Sequence, residues 1–320
     1  MRTAFMEMLG LSAPILQAPI GSCATPALAV AVGRAGGMGS MSMAWTDKET
    51  GLQQLASLKA QTQSFFFNFV LRFGAEAPPW YIGSGLPAVT FSWGLDAPLI
   101  AAFKKHGTRV GVQVGSSEGA RLAIAAGADF IIAQGMEAGG HVQSTTPLDL
   151  LLKTVIAAAG QVPVVATGGI ATAEDIVRVM KAGAQAVMMG TRFVATAESG
   201  AHDLYKQALV AAKREDQAYT HCFDIDWPYA MHGVLRNSTF KAWEAAGHPM
   251  APHRPGEGDI VIRRGGRAIV RYCDSPPAAD AEGDILAACL YAGTSVAGIS
   301  DVRPAGEIVQ SLWAEAQKLL

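Results

Sequence analysis

Along the first two thirds of the chain, short apolar runs alternate with longer segments in which apolar residues recur every three or four positions. The runs at 15–18, 37–41, 65–69, 88–91, 109–114, 129–133, 163–167 and 186–190 predict strands. The segments at 26–35, 47–59, 97–106, 117–126, 148–159 and 172–182 predict helices, several opened by a Ser, Thr or Asp that can cap free backbone N–H groups. The strand runs are apolar almost throughout instead of alternating, as strands covered on both faces are. Eight βα units joined by right-handed crossovers predict a (β/α)8 TIM barrel of the α/β class. An open doubly wound sheet is the alternative, but its Gly-x-Gly-x-x-Gly turn is missing: the first strand runs into Gln17-Ala-Pro-Ile-Gly.

The repeat stops near Ala212, and the next stretch is irregular, with Asp224-Ile-Asp-Trp-Pro, His248-Pro and Arg263-Arg-Gly-Gly-Arg. It predicts an inserted, partly helical lid with a substrate-facing role. From about Ile285 the chain turns apolar again and ends in a predicted helix at 304–320 that packs back on the barrel. The expected division is therefore a cofactor-binding barrel at 1–212, a lid at 213–284 and a returning segment at 285–320.

Totals narrow the picture. A length of 320 residues leaves room for an insertion beyond the roughly 250 residues of a typical barrel. A formal net charge of -2 gives no attraction for a polyanion, so nucleic acid is not an expected partner. Cys23, Cys222, Cys273 and Cys289 lie far apart with no Cys-x-x-Cys pair, which predicts neither a metal site nor a disulfide framework. Glu7 interrupts what would have to be an apolar signal core, and no apolar run reaches about 18 residues. A soluble, cytoplasmic protein without a membrane partner is expected, and a homodimer is the assembly considered.

In barrels the chemistry sits on the loops after the strands. Thr167-Gly-Gly-Ile170 follows the seventh strand and Met189-Gly-Thr-Arg192 the eighth. Two glycine turns entering helices aim backbone N–H groups at one spot, where barrels commonly hold a phosphate, and Thr191 adds a hydroxyl. Taken singly, either turn is equally well explained as a tight βα connection. After the sixth strand comes Gln134-Gly-Met-Glu-Ala-Gly-Gly-His141, whose glycines let backbone lie flat on a planar ligand while His141 reaches the mouth as a general base. The plainer reading is a loop histidine bonded to Glu137. His106 ends a helix at the opposite face of the barrel, and His202, His221, His232, His248 and His253 belong to or border the lid. Asn68, Gln113 and Gln134 sit at strand ends, either bonded to neighbouring loops or facing a ligand. Three amides, with neither inward acids nor metal-spaced histidines, suit a heteroaromatic ring carrying carbonyls and N–H groups, such as a flavin.

The motifs Pro14-Ile-Leu-Gln-Ala-Pro19, Ala35-Gly-Gly-Met-Gly39, Asn68, Gln134-Gly-Met-Glu-Ala-Gly-Gly-His141, Ala166-Thr-Gly-Gly-Ile170 and Met189-Gly-Thr-Arg-Phe193 carry a resemblance. In this order they resemble nitronate monooxygenases, formerly called 2-nitropropane dioxygenases, over essentially the whole chain, with Glu-Ala-Gly-Gly-His the most specific run. FMN-dependent enoyl-ACP reductases and NADH:quinone reductases are related. The resemblance implies FMN, with Ala18 and Pro19 under the ring, Asn68 and Gln134 at its polar edge or chain, and Gly139 approaching by backbone. It implies Gly168, Gly169, Gly190 and Thr191 at the phosphate, counts Gln113, Gly140 and Met189 among the cofactor contacts, and adds Gly293 and Ser295 from Tyr291-Ala-Gly-Thr-Ser295. His141 matches the family's catalytic histidine, which faces the flavin N5 and takes the α-proton of a nitroalkane or hydrogen-bonds a nitronate. The implied reaction oxidises a nitronate with O2 to a carbonyl compound and nitrite, without a metal. The chain departs from many relatives at Val142-Gln143 and at Phe91-Ser-Trp-Gly94. An FMN-dependent NAD(P)H oxidoreductase acting on quinones or enoyl thioesters has the same fold and flavin site, and Arg263, Arg264 and Arg267 are then either a pyrophosphate contact or a solvated basic turn. A flavin-free lyase or isomerase barrel, and a flavin carrier without turnover, are further alternatives.

Overall fold

The computed structural model describes residues 2–320. A capped first helix, α1 (Ala4–Leu9), precedes strand β1 (Ile15–Gln17) and helix α2 (Pro26–Arg34). The chain then alternates through β2 (Gly39–Ser42), α3 (Lys48–Lys59), β3 (Phe65–Val70), β4 (Ala88–Ser92), α4 (Ala97–Lys105), β5 (Arg109–Val114), α5 (Ser117–Ala125) and β6 (Phe130–Gln134). After β6 a two-residue strand, β7 (Gly140–His141), precedes α6 (Leu148–Ala159), β8 (Val164–Thr167), α7 (Ala173–Lys181) and β9 (Ala186–Met189).

Eight of these strands form one parallel sheet in the order β1-β9-β8-β6-β5-β4-β3-β2. A parallel bridge between Leu16 and Met38 joins its two edges, with Gln17 N–H donating to Met38 O and Met38 N–H to Ile15 O. The sheet is thus a closed barrel, as the strand count predicts, and closure removes the open edges that a sheet would otherwise expose. Met38 spends its bonds on this seam, which is why β2 starts at Gly39 and not at Gly37. Every residue of β3, Phe65-Phe-Phe-Asn-Phe-Val70, is buried, the pattern of a strand covered by barrel core on one side and helices on the other. The helices present one face: α7 buries Ile176, Val179 and Met180, exposes Arg178 and Lys181, and is opened by a capping box between Thr172 and Asp175.

Beyond β9 come a single-turn helix α8 (Thr191–Val194), α9 (Asp203–Ala211), β10 (Gln217–Thr220), β11 (His232–Leu235), α10 (Ser238–Ala245) and the hairpin β12 (Ile260–Arg264) with β13 (Arg267–Val270). Strand β14 (Glu282–Gly283) pairs with β12, and α11 (Ala305–Leu319) packs against α7 and α2. The stretch read as an insertion does not keep its strands to itself. Strand β11 pairs with β10 on one side and with β7 on the other, placing His232 opposite His141 and Gly233 opposite Gly140. One sheet therefore ties the loop after β6 to residues some ninety positions later. Among the described residues no helix is long and apolar enough to cross a membrane. All four cysteines are free and buried.

Candidate functional site

The strands' C-terminal ends open on a cavity of about 870 Å³. His141 stands in its wall, held from several directions. Gln134, at the end of β6, accepts from Gln143 N–H at 2.9 Å and donates to His141 O at 3.2 Å, so its amide clasps both flanks of the loop. The His141 ring lies 4.2 Å, centroid to centroid, from Trp227 at 32°, and Trp227 in turn meets Trp93 and Phe73 edge-on at 4.7 Å each. The Tyr291 hydroxyl is 3.4 Å from His141 Nδ1, whereas Nε2 is buried with no partner and has Asp274 Oδ2 at 3.9 Å. Glu137 does not bond His141; its carboxylate accepts from Leu148 N–H at 2.9 Å, at the start of α6.

A histidine free in water titrates near neutrality, which is the expectation for His141. Burial instead pushes its pKa down to about 3, with His232 behind it adding to the effect. His232 itself is pushed down to about 4, again chiefly by burial. Its Nδ1 lies 2.9 Å from Ala230 O and its Nε2 accepts from Phe223 N–H at 3.2 Å, bonding that suits a neutral ring. Both imidazoles are therefore neutral around pH 7. The opposite shift is found beside His141: burial, reinforced by Asp226, raises Asp274 to about 7. Against the expectation of no inward acids, Asp226 and Asp274 reach the cavity, from the segments before β11 and after β13 and not from barrel strand ends.

The glycine turns form the other wall. Gly168 and Gly169 have φ of +115° and +67°, and a Cβ on Gly169 would lie 2.9 Å from Thr294 Oγ1 and 3.0 Å from Glu137 Cβ. Among the described residues the N–H groups of Gly169 and Ile170 have no backbone partner. The turn after β9 enters only the four-residue α8, so it adds little helix dipole; what it adds is Thr191. Gly293 N–H donates to the Thr191 hydroxyl at 3.0 Å, which leaves the hydroxyl proton free to bond a ligand oxygen. Gly139 and Gly293 lie back to back: a Cβ on Gly139 would come within 2.6 Å of Gly293 N.

Ala18, Pro19, Asn68, Gln113, Gln134, Gly139, Gly140, His141, Gly168, Gly169, Met189, Gly190, Thr191 and Ser295 all line the one cavity. Gly293 does not; it braces the wall from behind through the bonds just described. The amides divide between the two uses expected of them. Gln134 is spent on the His141 loop, and Gln113 donates to Gln143 Oε1 at 2.9 Å. Asn68 donates only its NH2, to Thr90, keeping its carbonyl oxygen for a ligand. Gln17, unnoticed in the sequence, is fully buried, accepts from Ser40 N–H at 2.7 Å and donates to Ala18 O, which fixes the Ala18-Pro19 turn. Trp227, Asp226 and Asp274 were also missed. Of the predicted basic turn, Arg264 and Arg267 line the cavity and Arg263 does not. The donors of Asp226, Cys273 and Asp274 come within 4.8 Å of one another. The Cys273 thiol donates to Asp226 at 3.0 Å, and burial together with that bond pushes it up to about 11, so without an ion this group shares protons.

Residues 82–315 match the family model described as nitronate monooxygenase. The chain is 30% identical over 366 aligned positions to a nitronate monooxygenase of Paraburkholderia phytofirmans, covering 99% of this chain and 96% of that one. It is 32% identical to a nitronate monooxygenase of Pseudomonas aeruginosa, over 69% of this chain and 77% of the other. A crystal structure of nitroalkane oxidase from Streptomyces ansochromogenes superposes with a TM-score of 0.82 at 29% identity, covering 99% of this chain and 98% of that one.

Proposed function

The chain belongs to the nitronate monooxygenase family, enzymes that are flavin-dependent oxidoreductases, and from that premise we propose that it uses FMN and O2 to convert alkyl nitronates, and nitroalkanes after deprotonation, into carbonyl compounds and nitrite. The observation that carries the reading is His141 Nε2: a buried, neutral, unpartnered nitrogen in the wall of the cavity that the glycine turns and Asn68 also face.

The residues fit FMN. A cavity of about 870 Å³ is of the size that holds a cofactor. The free N–H groups at Gly169 and Ile170, with the Thr191 hydroxyl, suit a phosphate, and the Asn68 carbonyl suits an N–H on a ring. Bound FMN supplies the redox chemistry between nitronate and O2. The chain's own part is proton transfer, positioning and exclusion of water. With the Nδ1 proton turned toward the Tyr291 oxygen, the Nε2 lone pair is the base that takes the α-proton; the C–H electron pair moves into the nitro group and the substrate becomes a nitronate. Trp227, 6% exposed, covers the imidazole on one side and keeps bulk water from it. We infer that the protein acts on a small-molecule substrate in the cytoplasm, a compartment in which its four buried cysteines stay as thiols.

His141→Asn tests the reading. It is expected to retain FMN and to lose about 10²–10⁴-fold in kcat/KM on neutral nitroalkanes, the usual worth of a general base, while pre-formed nitronates lose less. Undiminished turnover of nitroalkanes in this variant would refute the role of the base. Bleaching of the anaerobic flavin by NAD(P)H but not by a nitronate would move the enzyme to the reductase reading.

A further inference from the structure

A neutral imidazole in a desolvated wall is a poor place to put a proton. Burial and His232 both oppose charge on His141, holding its pKa at about 3, so a substrate proton arriving at Nε2 meets an environment that expels it. Hydrogen bonds do not solve this: Nε2 has none. The nearest acidic oxygen is Asp274 Oδ2, 3.9 Å from this nitrogen, close enough for its charge to matter in a buried setting, and both residues line the cavity.

We propose that Asp274, brought over the barrel mouth by the segment after β13, is the counter-charge that makes His141 a competent base, and that ionisation of this carboxyl sets the pH at which the α-proton is taken. The inference rests on the reading of His141 as base. In the step, the substrate C–H bond breaks, an N–H bond forms at Nε2, the electron pair passes to the nitro oxygens, and the carboxylate offsets the imidazolium charge. Asp274 itself gains and loses no bond.

The groups around the pair leave Asp274 as the one poised to change charge near neutrality. Burial, and after it Asp226 from the segment before β11, raise it to about 7, against the pull of Arg267 on β13. Cys273 beside it stays protonated, at about 11. Tyr291 and Cys289 on the returning segment are held well above their ordinary values and stay neutral. His232 on β11, at about 4, is uncharged. Arg264 is the remaining charged side chain of that wall.

The test is Asp274→Asn in the flavin-loaded enzyme, assayed against pH with a nitroalkane that stays un-ionised across the range and with a pre-formed nitronate. For the wild type, kcat/KM on the nitroalkane is expected to rise with pH with a midpoint near 7. Asp274→Asn is expected to remove that rise and to lie about 10²-fold lower on the alkaline side, at the low end of what base catalysis contributes, with nitronate turnover falling less. A second readout is independent of turnover: the ring signals of His141 in NMR should shift near pH 7 without becoming those of imidazolium, and the shift should vanish in Asp274→Asn. An unchanged ascending limb in a folded Asp274→Asn overturns the proposal. Should that variant fail to fold, Asp274→Glu replaces it: retention of a displaced limb supports the counter-charge, and a folded Asp274→Glu with a flat profile overturns it. Failure of the underlying reading looks different, because His141→Asn would then keep its nitroalkane activity whatever Asp274 does.

Discussion

The cavity has two walls of opposite character. The barrel wall is built of glycine turns, the Ala18-Pro19 turn and neutral amides, each positioned by the strand immediately before it. The lid wall holds Trp227, Asp226, Asp274, Arg264 and Arg267, each placed by strand pairing or loop packing far from its own position in sequence. The barrel wall offers backbone groups and shape, the features that hold a cofactor in one pose; the lid wall offers charge, an aromatic cover and groups that titrate. On the proposed function, the difference divides cofactor capture from proton management between two parts of the chain, which are joined at the short strand bearing His141 and where Trp227 packs on Trp93 and Phe73.

Breaking the barrel wall has the largest expected effect. Gly169→Val forces a β-branched residue to φ +67° and drives its Cβ to within 3.0 Å of Thr294 and Glu137 atoms. A left-handed conformation plus overpacking costs on the order of 3 kcal/mol, or roughly a hundredfold in flavin affinity if the strain is felt at the cradle. Flavin fluorescence titration measures it; full affinity would mean that this turn does not hold the cofactor.

The lid wall is best probed by acid. His141 and His232 have pKa values of about 3 and 4 in the fold against 6.5 for an ordinary histidine, so from pH 6.5 down to about 4 the unfolded chain takes two protons that the native one refuses, and stability falls as pH falls. Asp274 acts in the opposite sense. Raised to about 7, it holds a proton in the native state that the unfolded chain gives up above 3.8, so its contribution grows as pH falls through 7. These three groups together predict a net loss of about 1.4 kcal/mol per pH unit below 6.5, and about 2.8 in Asp274→Asn, where the opposing term is gone. Urea unfolding at pH 6.5, 5.5 and 4.5 reads this, and parallel slopes for the two proteins would show that Asp274 is not protonated in the fold.

The smallest effect belongs to Arg264→Ala. Its ion pair with Asp280 at 2.7 Å joins side chains that are 42% and 61% exposed. Such pairs contribute about 0–1 kcal/mol, so thermal stability should hardly move. A several-fold rise in KM confined to anionic substrates would show that this arginine serves the cavity.

The two walls also differ in how well they can be read from sequence. All eight barrel strands were legible, because a strand buried on both faces leaves an apolar run bounded by turn residues, and the glycine turns announced themselves by position after such runs. The exceptions on that side have local causes, such as Met38, whose bonds go to the seam with β1. His141 was legible as a position, but its pKa was not, since burial by Trp227 and the presence of His232 depend on β11 pairing with β7. Trp227 and Asp274 carried no local signal at all. Asp224-Ile-Asp-Trp-Pro reads as a polar turn until the fold brings it over the barrel mouth. Gln134 was open to two uses, a bond to a neighbouring loop or a ligand contact, and the loop ahead of it takes the amide.

The pairing of β7 with β11 also bears on the order in which a nascent chain becomes functional. The last barrel strand is complete at Met189, while the partner strand for the His141 loop, the tryptophan against its ring and the glycine that braces it at Gly293 all emerge later from the ribosome. On the proposed function, a chain synthesised only through Met189 holds all eight barrel strands yet none of the later groups that order the base, so the base is set only once those segments have joined the barrel.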